Sequence, residues 1–120
     1  CSMRVVGHGQ GLRVENRLPG ADVNPYLALA AMIAAGLHGI DNELELEPAF
    51  EGNAYESDKP RVPDTLQGAR DLWAGSQVAR DAFGQEVVDH YLNYADVELA
   101  AFNRAVLKRF RRFALEIEDR

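Results

Sequence analysis

The chain has 120 residues and a mass of 13.3 kDa, and its 47% hydrophobic against 27% charged residues exclude a disordered, collagen-like or disulfide-built protein. Thirteen Lys and Arg against nineteen Asp and Glu leave a net charge of −6 and a pI near 5.0, which disfavours nucleic acid as a partner, because that affinity comes from Lys and Arg neutralising phosphates. Cys1 is the single cysteine, and neither a signal peptide nor a bilayer-spanning apolar run is visible, so the expectation is a cytoplasmic protein with no membrane partner. The start at Cys1 without an initiator Met adds the expectation of a piece cut from something longer.

Residues 1–6 read as the end of a strand, and Gly7, Gly9 and Gly11 as a flexible turn. Residues 12–18 form a second strand, whose period of two places Arg13, Glu15 and Arg17 on one face. A turn over residues 18–22 leads to Asn24 and Pro25, a capping residue followed by a residue preset for the first helical position. The helix from Tyr26 to about Gly39 is apolar nearly all round and requires burial on most sides; detached from a larger fold it would expose that surface and associate. Gly39 is the expected left-handed cap. Asp41, Glu43, Glu45 and Glu47 then alternate with Leu44 and Leu46, and residues 48–63, with Pro48, Gly52, Pro60 and Pro63, read as a long surface loop.

In the second half, Asp64 is placed to cap a helix over 65–74 anchored by Trp73, and Ser76 to cap a short helix ending at Gly84. Helical spacing resumes over 86–94 and again over 95–118, with Val97, Ala101, Val106, Phe110 and Phe113 as inward candidates. The expected fold class is α+β, with one or two N-terminal strands followed by a mainly helical remainder.

Arg13-Val14-Glu15-Asn16-Arg17 is the most informative stretch. Its plain reading is a solvent-facing strand laced by ion pairs. Its chemical reading is a hard oxygen ligand for Mg2+ or Mn2+ at Glu15, flanked by guanidiniums able to hold phosphate or carboxylate bidentately. One carboxylate cannot complete a metal site, and no acidic or histidine cluster in the sequence can be assigned beside it. The three glycines lack the spacing of a dinucleotide fingerprint and the Lys of a P-loop. His8 reads as a loop residue, and His38 and His90 as helix-end or packing residues. Lys108, Arg109, Arg111 and Arg112 read as a solvated face that complements the helix macrodipole.

The run Arg13-Val-Glu-Asn-Arg17 with Pro19, followed by Asn24-Pro-Tyr-Leu-Ala and Ala30-Ala-Met-Ile-Ala-Ala-Gly-Leu, closely resembles the C-terminal part of the catalytic domain of the glutamine synthetase family. Ser2-Met3-Arg4 is similar to the end of the family's Asn-Arg-Ser-x-x-x-Arg segment, and the later helices resemble the family's C-terminal helices more loosely. The whole of 1–120 would then be one segment of that domain. The family's remaining metal ligands and its small β-grasp domain would lie upstream, so these residues alone are expected to be inert.

The resemblance implies transfer of the ATP γ-phosphoryl group to the glutamate γ-carboxylate, followed by attack of ammonia or an amine on the acyl phosphate. It implies Arg4 and Arg13 as ATP-binding residues, Glu15 as a metal ligand for Mg2+ or Mn2+, and Arg17 as the catalytic arginine that binds glutamate. It also implies a homo-oligomer of stacked hexameric rings. The run from Asn16 to Asp22 looks more like the branch that joins glutamate to polyamines or other amines. The alternatives from a different class are a helical assembly module without an active site and a catalytically dead relative.

Overall fold

The computed structural model describes residues 2–118, leaving out the side chains of Ala54 and of residues 112–118. Cys1, and the inward packing expected of Phe113, therefore lie outside the described residues. The chain comprises two compact units, Cys1–Pro60 and Arg61–Arg120. As expected for the α+β class, a two-stranded antiparallel sheet stands at the N-terminus and the remainder is mainly helical.

In the first unit, β1 (Met3–Val6) pairs with β2 (Arg13–Asn16) in the register Met3 to Asn16, Arg4 to Glu15, Val5 to Val14 and Val6 to Arg13. The connection needs glycine at its first position. Gly7 has a φ of 85°, and a Cβ there would lie 2.2 Å from the Gly11 carbonyl oxygen. A 3-10 turn over Gly9–Gly11 completes the reversal, with the Gly11 N–H donating to the His8 carbonyl at 3.0 Å. These glycines close a hairpin. One hairpin face carries Met3, Val5 and Val14, all exposed, and the opposite face carries the charged residues.

Helix α1 (Pro25–Asp41) begins as its cap predicts. The Asn24 Oδ1 accepts from the N–H groups of Tyr26 at 3.0 Å and Leu27 at 3.2 Å. Its end differs from expectation, because Gly39 stays helical and Glu43 takes the left-handed position at φ 48°. The reason lies in hydrogen bonds: Leu44 N–H donates to the Gly39 carbonyl at 3.0 Å and Glu43 N–H to that of Ile40 at 3.1 Å, a complete Schellman motif whose left-handed residue falls four positions after Gly39. The Asn42 side-chain amide also donates to the His38 carbonyl at 2.8 Å. No α1 residue is buried; Tyr26 is 85% and Ile40 74% exposed. The all-round apolar helix thus presents to solvent the surface that its sequence requires to be covered. The loop beyond it contains a short 3-10 turn, Ala54–Glu56, and an ion pair from Lys59 to Glu47.

Among the described residues, the regular elements of the second unit are all helices. Helix α2 (Leu66–Gly75) is capped by Thr65, whose Oγ1 accepts from the Gly68 N–H at 3.1 Å, so the cap falls one residue after the expected Asp64. Ser76 caps α3 (Gln77–Phe83), and Gly84 at φ 82° ends it, both as anticipated. Helix α4 (Gln85–Glu118) is one continuous element rather than two, because neither Gly nor Pro interrupts it.

The core of this unit is small: Val88 is fully buried, and Ala79 and Ala95 nearly so. Trp73 ties the three helices together. Its ring centroid lies 5.8 Å from that of Phe83 and 6.4 Å from that of Tyr91, edge-on to the latter, and its Nε1 donates to the Val88 carbonyl at 3.2 Å. The inward stripe of α4 accordingly runs through Val88, Ala95 and Leu99. Of the candidates expected inward, Val97, Ala101 and Phe110 are exposed and Val106 is half-buried, because α2 and α3 cover only the first turns of α4. Outside this core, Arg70 grips Asp96 through two hydrogen bonds of 2.9 and 3.0 Å, joining α2 to α4. Among the described residues no helix is long and apolar enough to cross a membrane.

Candidate active site

The charged face of the hairpin is assembled by strand geometry. Successive side chains on β2 alternate, so Arg13 and Glu15 share a face, and Arg17 follows on it one step beyond the strand. The Arg17 N–H donates to the Ser2 carbonyl at 2.8 Å, continuing the cross-strand pairing past Asn16 and fixing where the Arg17 side chain departs. The register then sets Arg4 directly across from Glu15. Side chains opposite one another in an antiparallel pair lie on the same side, with Cβ atoms about 5 Å apart. All four anticipated site residues, Arg4, Arg13, Glu15 and Arg17, therefore stand on one face.

Within that face Arg13 Nη2 donates to Glu15 Oε1 at 3.1 Å, and Arg13 Nη1 reaches the Gly11 carbonyl at 3.4 Å. The Arg13–Glu15 pair is solvent-exposed and so costs little to open when an anion or cation competes for it. Arg4 and Arg17 are held in no ion pair with the described residues. Three arginines thus share a face with one carboxylate, a local charge opposite in sign to that of the whole chain. Such a face can grip the oxygens of phosphate or carboxylate groups.

Glu15 fits one position of a hard divalent ion's oxygen shell. The described residues supply no group of three or more His, Cys, Asp or Glu that could hold a metal, so the face provides one ligand and not a closed site. The other residues considered from sequence stand apart from it. His8 precedes the hairpin's 3-10 turn, His38 lies in the last turn of α1 beside Asn42, and His90 stacks edge-on against Tyr91 at 5.3 Å. Lys108, Arg109 and Arg111 lie on α4.

Sequence reasoning reached Arg4 only through a family resemblance, yet a signal for its pairing was present. Centring the reversal on Gly9 and Gln10, the middle of the glycine turn, sets residue 4 opposite residue 15.

Comparison with known proteins bears on this face. Residues 1–112 match the catalytic domain of glutamine synthetase. The chain is 60% identical over 106 residues to a gamma-glutamylethanolamide synthetase of Streptomyces coelicolor, covering 88% of this chain and 23% of that protein. It is 38% identical over 112 residues to type-1 glutamine synthetase 2 of Dictyostelium discoideum, covering 89% and 22%, and 39% identical over 106 residues to a glutamate–isopropylamine ligase of a Pseudomonas species, covering 85% and 23%. The chain spans about a fifth to a quarter of the length of these relatives.

Proposed function

The chain belongs to the glutamine synthetase family, and on that premise we propose that residues 1–120 are the C-terminal segment of the catalytic domain of an ATP-dependent ligase. This ligase joins the glutamate γ-carboxylate to an amine through γ-glutamyl phosphate. The observation that carries the reading is the charged hairpin face, where the antiparallel register brings Arg4 to Glu15 and the strand alternation adds Arg13 and Arg17.

In the first step a γ-carboxylate oxygen of glutamate attacks the γ-phosphorus of ATP and ADP leaves. In the second the amine nitrogen attacks the acyl carbon, phosphate leaves, and the nitrogen loses a proton. Arg4 and Arg13 hold the nucleotide phosphates in this reading, and Arg17 orients the glutamate carboxylate and later its phosphorylated form. Fixed guanidiniums stabilise charge as it spreads over the transferring oxygens, the largest single contribution to phosphoryl transfer. Glu15 would contribute one oxygen ligand to a divalent ion, Mg2+ or Mn2+, and such an ion would supply charge neutralisation for the phosphoryl group. Arg13 releases Glu15 as it turns to phosphate, exchanging one weak surface pair for a charge-assisted contact.

We take the acceptor to be a small primary amine, with ethanolamine foremost, on the strength of the 60% identical relative's name. Ammonia is the alternative acceptor. The protein acts in the cytoplasm as a homo-oligomer of stacked hexameric rings, and the 120 residues alone, with a single carboxylate on the charged face, do not turn over.

The test is ADP release from ATP and glutamate by a protein that joins these residues to a complete catalytic domain, with ethanolamine or ammonia as acceptor. Arg17→Ala should lower kcat/KM by about a hundredfold or more, and Glu15→Gln should raise the metal concentration needed for half-maximal rate. Full activity in both variants would refute the assignment.

A further inference from the structure

Glu15 shares its face with three arginines, and among the described residues it is bonded by one of them. Arg4 stands directly across the hairpin, with Cβ atoms about 5 Å apart, whereas Arg13 stands two positions back along the same strand, about 6.6 Å away. The farther residue makes the bond. Arg13 Nη2 donates to Glu15 Oε1 at 3.1 Å, and Arg13 Nη1 reaches the Gly11 carbonyl at 3.4 Å. The guanidinium is thus turned along its own strand at both ends. Both contacts fall within residues 11–15, so strand alternation and the end of the glycine turn set them, independently of what packs elsewhere.

Resting on the ligase reading above, we propose that the Arg13–Glu15 pair is a latch that couples the binding of cation and anion on this face. While the pair is closed, Arg13 spends its donors on Glu15 and Gly11, and Glu15 spends an acceptor on Arg13. A cation held by Glu15 frees Arg13 for a polyphosphate, and a polyphosphate held by Arg13 frees Glu15 for a cation. Each ligand therefore removes the competitor of the other, and the gain is the same in both directions because linkage is reciprocal. Its size is what an exposed pair is worth, a factor of about two to five. Arg4 and Arg17 have no such partner among the described residues and stay available to anions whether or not a cation is present.

Equilibrium binding to a protein that joins these residues to a complete catalytic domain tests the latch without turnover. Mn2+ is titrated in the absence of nucleotide, with the free ion read by electron paramagnetic resonance. Arg13→Gln should bind Mn2+ about two to five times more tightly than the parent. Arg4→Gln removes the same charge from a backbone position nearer to Glu15 and should change the affinity less; circular dichroism checks that both variants keep their fold. An equal or larger effect of Arg4→Gln, or none from Arg13→Gln, would overturn the proposal, since only bare charge would then be acting.

The reciprocal measurement titrates ATP in the presence of EDTA. Glu15→Gln should bind it about two to five times more tightly, and the gain should vanish when Arg13→Gln is added. A gain that survives in the double variant is direct repulsion between carboxylate and phosphate and sinks the latch. ADP release, measured as above, tests the ligase reading separately: turnover with a failed Mn2+ comparison removes the latch alone, whereas a parent protein that binds neither Mn2+ nor ATP removes both.

Discussion

The two halves of this chain solve opposite problems. Among the described residues, Cys1–Pro60 has no buried side chain, whereas Arg61–Arg120 closes three helices around Val88, Ala79, Ala95 and the Trp73 ring. Charge divides as unevenly: residues 1–60 hold four Lys and Arg against nine Asp and Glu, and residues 61–120 nine against ten. The half that bears the site residues is thus held in shape by local devices, namely one obligatory glycine, a strand register and two helix caps. The half without them is held by packing. Geometry at the charged face is therefore expected to be insensitive to packing in the second half, and each variant below probes one side of that division.

The largest effect belongs to Val88→Asp. Placing an unpaired carboxylate at a fully buried position should cost about 3 kcal/mol or more and abolish cooperative unfolding of the second unit. Trp73 is the only tryptophan, so its emission reports that unit alone and should shift to the red. Amide protection across the hairpin, followed by hydrogen exchange, should be unchanged; if it collapses too, the halves do not stand independently.

Smaller and opposite effects are expected at the two ends of α1. Asn24→Ala removes the acceptor for two N–H groups and should cost about 1 kcal/mol. Glu43→Gly relieves a left-handed residue and should return about 1 kcal/mol. Exchange at the Tyr26 and Leu27 amides, and at Leu44 for the second variant, measures both, and Trp73 emission should move in neither.

The smallest effect is a pH dependence confined to the second unit. The Arg70 guanidinium, hydrogen-bonded to Asp96, holds that carboxyl below its ordinary value of 3.8. The folded state thus favours the ionised acid. Its contribution is fully present above 3.8 and is lost as pH falls through the lower folded value. Thermal melts followed by Trp73 emission should show this acid sensitivity in the parent chain and less of it in Asp96→Asn, with hairpin exchange unaffected.

Much of this was legible in the sequence because it depends on neighbours a few residues apart. Asn24 with Pro25, Ser76 and Gly84 mark helix ends through backbone groups within four residues, and the alternation of Arg13, Glu15 and Arg17 follows from the pleat alone. The same locality explains where reading failed. Thr65 and Asp64 are both good caps, and only the path of the chain into α2 selected Thr65. Gly39 was a fitting terminator, but Asn42 and Leu44 supplied partners that carried the helix past it.

Composition and spacing alone thus determined the α+β class, the charged strand face and the apolar excess of α1, since each depends on residue type and short-range period. The glycine turn is compatible with Arg4 facing Glu15 but does not fix it, and the strand pairing decided it, because register is a relation between strands. The tertiary structure also decided that Val88 and Ala95, rather than Val97 and Phe110, turn inward, and that the cover on α4 ends before its stripe does. Apolar periodicity says that a face needs a neighbour, but the positions of α2 and α3 determine how much of that face receives one.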